Sequence, residues 1–130
     1  MISVVDDDES VCGSIRGLLR SVGYRVISFA SAESLLASDT LRETACLVLD
    51  VWMPGMNGLE LQGRLKETGA CIPIVFVTAH DEAWVRERAL AVGAVDMLHK
   101  PFAASALLAA VRKALGDSEL PQEEEKFTAQ

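Results

Sequence analysis

Short runs of adjacent apolar residues alternate along this chain with longer stretches in which apolar residues recur at helical spacing. The short runs cover 2–5 (ISVV), 24–29 (YRVISF), 46–50 (CLVLD), 73–78 (PIVFVT) and 95–98 (VDML), lengths that suit β-strands. Between the first two, Val11, Ile15, Leu18, Leu19 and Val22 would share one helix face, as Leu107, Leu108, Val111 and Leu115 would after the last. Gly23, Gly69 and Gly93 each stand between a helical stretch and a strand, where a residue free to take positive φ closes the last helical turn. The pattern predicts a βα unit repeated five times.

Strands joined to helices by short connections build a parallel sheet with helices on both faces, because the crossovers are right-handed. The very apolar CLVL and IVFV segments belong at its centre. YRVISF, with Arg25 and Ser28 set among Val26, Ile27 and Phe29, belongs nearer an edge. Ligands of such sheets bind beyond the carboxyl ends of the strands. The first strand ends in Asp6, Asp7, Asp8 and Glu9, the third in Asp50 and the fourth in Thr78, while Lys100 and Pro101 follow the fifth.

Clustered Asp6, Asp7 and Asp50 would repel one another, an arrangement best tolerated beside a divalent cation. Oxygen donors favour Mg²⁺, or Mn²⁺ or Ca²⁺, over zinc. Asp50 then becomes both a metal ligand and a nucleophile able to attack phosphorus and form an aspartyl phosphate. Lys100 would offset phosphoryl charge and Thr78 would donate a hydrogen bond.

Composition narrows the possibilities. The chain has 130 residues, one domain's worth, and its 19 acidic against 12 basic residues give a net charge of −7, the wrong sign for a nucleic-acid surface. No apolar run is long enough to span a bilayer and no leader pattern opens the chain, so a cytoplasmic protein without a membrane anchor is expected. Cys12, Cys46 and Cys71 lack any paired spacing, which fits reduced thiols better than disulfides or zinc. The acidic stretch from 117 to 130, DSELPQEEEKFTAQ, lacks periodicity and reads as a disordered tail or linker after a domain covering 1–116.

The ordered set VVDDDE, LVLDVWMPGMNGLEL, VTA and KPF strongly resembles the receiver domain of two-component response regulators, a resemblance covering residues 2 to 115. SVVDDDESV, FASAESLL and VGAVDMLHKPF look most like its FixJ-type branch. The resemblance implies a flavodoxin-like doubly wound fold. It also implies a phosphorylation switch taking its phosphoryl group from a histidine kinase or phosphotransfer protein, with self-phosphorylation at Asp50 and slow self-catalysed hydrolysis as its only enzymatic acts. In its terms Asp50 is the phosphoacceptor, Asp6 and Asp7 the acidic pocket, Thr78 the switch hydroxyl and Lys100 the phosphate-contacting lysine. Asp7, Asp50 and the main-chain carbonyl of Trp52 would bind Mg²⁺ directly and Asp6 through water. A cis peptide between Lys100 and Pro101 and dimerisation on phosphorylation are further implications.

Other features have plainer readings. Asp8 and Glu9 suit the start of the first helix, Asn57 and Gly58 suit a turn, and His80 and His99 suit solvent. Met97 stands where the family carries Tyr or Phe, which places the coupling from Thr78 to the signalling surface in doubt and draws attention to Trp84. Trp52 and His80 would flank the path of the water that removes phosphate. A flavodoxin-like cofactor binder would need a neutral loop in place of DDDES, and a phosphohydrolase would want an acid where Trp52 stands. The main alternative is a phosphorylation-independent interaction module on the same fold. No DNA-binding domain is expected within the chain, leaving a single-domain regulator and a piece of a longer one equally open.

Overall fold

In a computed structural model of the chain, which describes residues 1–80 and 82–116, five parallel strands form one sheet. The elements run β1 (Ile2–Val5), α1 (Glu9–Ser21), β2 (Val26–Phe29), α2 (Ala32–Leu36), a 3-10 turn (Asp39–Glu43), β3 (Cys46–Asp50), α3 (Gly58–Glu67), β4 (Ile74–Thr78), α4 (Ala83–Ala91), β5 (Asp96–His99) and α5 (Ala104–Ala114). Their spatial order is β2-β1-β3-β4-β5, so the most apolar strand is central and the YRVISF segment supplies an edge, as its pattern predicts. The expected tail at 117–130 lies outside the described residues.

Alternation along the strands divides the interior into two cores. Val5, Leu47, Leu49, Ile74 and Phe76 point to one face, where α2, α3 and α4 contribute Ala32, Leu35, Leu61, Leu65, Val85 and Ala89. Ile2, Val4, Cys46, Val48, Val75 and Val77 point to the other, against Cys12, Ile15 and Leu19 of α1 and Leu107, Ala110 and Val111 of α5. Each fully buried aliphatic or aromatic side chain contributes about 1.5–3 kcal/mol, so the sheet is stabilised from both sides. Among the described residues no helix is long and apolar enough to cross a membrane.

Local rules set the boundaries. β2 begins two residues later than its apolar run because the Tyr24 N–H donates to the Leu19 carbonyl at 3.2 Å, closing α1. Gly23, Gly69 and Gly93 take φ of 100°, 82° and 114°, values costly for any residue with a Cβ. Asp8 caps α1 by accepting from the N–H groups of Ser10 and Val11, and Asn57 with Glu60 forms a reciprocal capping box on α3. Buried Gln62 donates from Nε2 to the Ala89 carbonyl at 3.0 Å, tying α3 to the last turn of α4.

Candidate functional site

Strand register brings the acidic residues together. Val5 pairs with Leu49 across the β1–β3 ladder, so the next residue of each strand, Asp6 and Asp50, emerges side by side at the carboxyl edge. Asp7 follows on the loop, and one oxygen from each of Asp6, Asp7 and Asp50 lies within 4.8 Å of the others. Asp6 and Asp50 are buried, whereas Asp7 is exposed.

Lys100 enters from the far side of the sheet. Its backbone N–H donates to the Thr78 carbonyl at 2.7 Å, which extends the β4–β5 ladder by one bond. The ammonium then reaches Asp6 Oδ2 at 2.8 Å and Asp50 Oδ1 at 3.5 Å. The Lys100–Pro101 peptide is cis, as the resemblance implies. One cation thus faces three carboxylates, and the balance stays negative.

That imbalance appears in the protonation of Asp50. Burial first, then the charges of Asp6 and Asp7, push its carboxyl up to about 6, against a weaker downward pull from Lys100. Burial alone would lower the Lys100 ammonium, but its bond to Asp6 and the charges of Asp50 and Asp6 outweigh that and raise it. Asp6 is further held by Oδ1, which accepts the Asp8 N–H at 2.9 Å. Burial also drives the Cys12 and Cys46 thiols up to about 11 and about 12, which removes them as nucleophiles at neutral pH.

Thr78, at 0% exposure, closes β4 beside this group. Its hydroxyl is engaged with its own loop, donating to the His80 carbonyl at 3.0 Å and accepting the His80 N–H at 3.1 Å. The His80 and His99 side chains face solvent. Met97 packs in the α2–α3–α4 core at 2% exposure. Trp52, on the loop after Asp50, lies partly buried with its ring centroid 6.2 Å from that of Trp84.

Two contributors escape a reading of the sequence. Glu33, in the first turn of α2, accepts the Met56 N–H at 3.0 Å and so braces the loop after Asp50. Gly58 donates its N–H to the Val51 carbonyl at 2.8 Å, and a Cβ there would overlap the Asp50 carbonyl oxygen. The only sequence signal was a glycine at the start of α3, which a turn explains equally well.

Residues 2–112 match the family model of the response regulator receiver domain. The chain belongs to that family. It is 42% identical over 115 residues to the response regulator protein TmoT of Ectopseudomonas mendocina, a match covering 88% of this chain and 52% of TmoT. Among solved structures, response regulator StyR superposes with a TM-score of 0.83 at 42% identity, covering 98% of this chain and 63% of that one. The crystal structure of FixJ-N superposes with a TM-score of 0.80 at 32% identity, covering 88% and 92%. This receiver domain therefore spans about half the length of TmoT. Receiver domains of response regulators act in phosphorylation-based signalling, as switches rather than as enzymes with an external substrate.

Proposed function

We propose that the domain accepts a phosphoryl group on Asp50 in a Mg²⁺-dependent reaction, from a partner histidine kinase or phosphotransfer protein, and changes its interaction surface in response. The convergence of Asp6, Asp7 and Asp50 within 4.8 Å, with Lys100 bonded to two of them, carries the reading. The donor set suits a hard divalent cation: the ligand atoms are carboxylate oxygens, three of them gathered against the one Lys100 ammonium. Asp7, Asp50 and the Trp52 carbonyl would hold Mg²⁺ directly, and Asp6 through water. Bound there, Mg²⁺ supplies positive charge against the phosphoryl oxygens.

The remaining roles belong to the chain. A carboxylate oxygen of Asp50 bonds to phosphorus as the P–N bond to the donor histidine breaks, its electron pair returning to the imidazole, while the Lys100 ammonium, already at the pocket, neutralises the phosphoryl oxygens. Thr78 can meet the phosphoryl group only by giving up its hydroxyl bond to His80, and that exchange loosens the turn leading into α4. Residues 1–116 form the switch, with 117–130 as a linking segment, a cytoplasmic setting and dimerisation of the phosphorylated form. At a net charge of −7, direct nucleic-acid binding is no part of the proposal.

Incubation with acetyl phosphate and Mg²⁺ followed by intact-mass measurement tests the reading. One phosphate adduct is expected; its absence would favour the phosphorylation-independent interaction module. Asp7→Ala should weaken Mg²⁺ binding at least about tenfold and slow adduct formation, because the exposed pocket loses a charge that the metal must meet. Equal Mg²⁺ affinity in titrations of the two proteins would refute the ligand assignment. Lys100→Ala and Thr78→Ala should separate chemistry from response. The first should slow phosphorylation, and the second should leave the adduct intact while removing the accompanying change in the amide NMR signals of α4.

A further inference from the structure

The far ends of three helices leave a cavity at the amino edge of the sheet, away from the carboxylates. It measures about 410 Å³ and is lined by Leu65, Ala70, Ile72, Val92, Val95 and Ala114, with Lys66 and Cys71 also at its wall. Of the apolar six, all but Leu65 are only partly buried, so the cavity presents apolar surface that nothing among the described residues covers. Helix α5 delivers the chain to this place. Ala114 is its last residue, and Gly116, at a φ of 73°, turns the chain beyond it. Residues 117–130 follow, carrying Asp117, Glu119, Glu123, Glu124 and Glu125 against Lys126. The domain offers the opposite sign there. Lys66 lines the cavity, Arg112 and Lys113 close α5, all three are exposed, and among the described residues none of them forms an ion pair.

We propose that this cavity is the docking site of the chain's own segment 117–130, with the Leu120 side chain seated among Ile72, Val92 and Val95 and the acidic residues set against Lys66, Arg112 and Lys113. Leu120 stands four residues past Gly116, a reach of about 13–14 Å in extended chain. Seating it removes apolar surface from water, and Asp117 and Glu119 then lie close to the three cations. Exposed ion pairs add little singly, so the leucine carries the docking and the charges set its direction. Phe127 is separated from Leu120 by Glu123, Glu124 and Glu125, side chains that stay in water. Docking anchors the segment beside the last turns of α3 and α4, at the end of the sheet opposite Asp50. The inference is independent of the phosphoacceptor role.

Cys71 supplies the reporter in the full chain. It is the exposed thiol, whereas Cys12 and Cys46 are buried, so iodoacetamide should label Cys71 first, at a rate read by intact mass. Leu120→Ser leaves the charge unchanged and is expected to speed labelling at least about threefold, well inside what burial of one leucine allows. Phe127→Ser should stay within about twofold of the unaltered protein. Nuclear Overhauser contacts between the methyl groups of Leu120 and Ile72 should be present in the unaltered chain, and their absence overturns the inference. Equal labelling of Leu120→Ser and the unaltered chain does the same, as does equal acceleration by Phe127→Ser. Protection that fades on about hundredfold dilution also overturns it, because the occupant is then the segment of a second copy.

Discussion

Asp50→Asn is expected to abolish the phosphate adduct outright and, without metal, to make the fold more stable. The first outcome follows because an amide oxygen is too poor a nucleophile to attack phosphorus at neutral pH. The second follows from the elevated carboxyl. Its ordinary value of 3.8 rises to about 6 in the folded chain, so folding favours the neutral form and penalises the anion. Below pH 3.8 the group is protonated in both folded and unfolded chains, and no penalty exists. Between there and about pH 6 the unfolded chain ionises first, and stability falls as pH rises. Above that the penalty is constant at about 2–3 kcal/mol, at about 1.4 kcal/mol per pH unit of displacement. Urea melts of the two proteins in EDTA should therefore diverge from pH 4 to pH 6 and run parallel above it. A constant gap across this range would mean that the carboxyl is not elevated. Mg²⁺ should narrow the gap by binding only the carboxylate form.

Gly58→Ala is expected to cost about 3 kcal/mol or more, a large effect for one added methyl group. The new Cβ would overlap the Asp50 carbonyl oxygen and come within 3.0 Å of Val51 Cα and 3.1 Å of Phe76 Cε1. Two of these neighbours are backbone and the third belongs to a wholly buried ring, so none can yield by rotating into solvent. Relief requires α3 to move away from the end of β3, which displaces Asp50 from Lys100. Adduct formation should therefore slow along with the loss of stability. Gly17→Ala serves as the control: a Cβ there meets nothing within 4 Å, and alanine in mid-helix should add up to about 1 kcal/mol. Equal melting temperatures for Gly58→Ala and the unaltered chain would refute the close approach.

Features that the sequence made legible are those in which one residue type serves one local rule. Asp6, Asp50, Thr78 and Lys100 could be read because apolar runs stop at them, and a parallel ladder aligns strand ends whatever the loops do. The glycines after α1, α3 and α4 could be read because positive φ is a demand on one residue. The start of β2 was misplaced since Tyr24 and Arg25 carry strand propensity while Tyr24 completes the end of α1. In α1 the pattern selected Val11, Leu18 and Val22, yet these are only partly buried and Cys12 fills the core position. Cysteine behaves as a small apolar residue. Glu33 bracing Met56 and Trp52 meeting Trp84 were hidden for a different reason. Both join segments from separate βα units, and no spacing rule connects them.

The buried bond from Gln62 to the Ala89 carbonyl holds the last turn of α4 on α3, and Arg86 Nη2, donating to the Met97 carbonyl at 3.2 Å, holds its first turn on β5. Trp84 lies only two residues before Arg86, about 3 Å along the axis at about 1.5 Å per residue. A tilt of about 10° around Arg86 would move that position by only about 0.5 Å. A protein gripping α4 thus meets a helix fastened near both ends. To gain a longer stroke at Trp84 it must first break the Arg86 bond to β5.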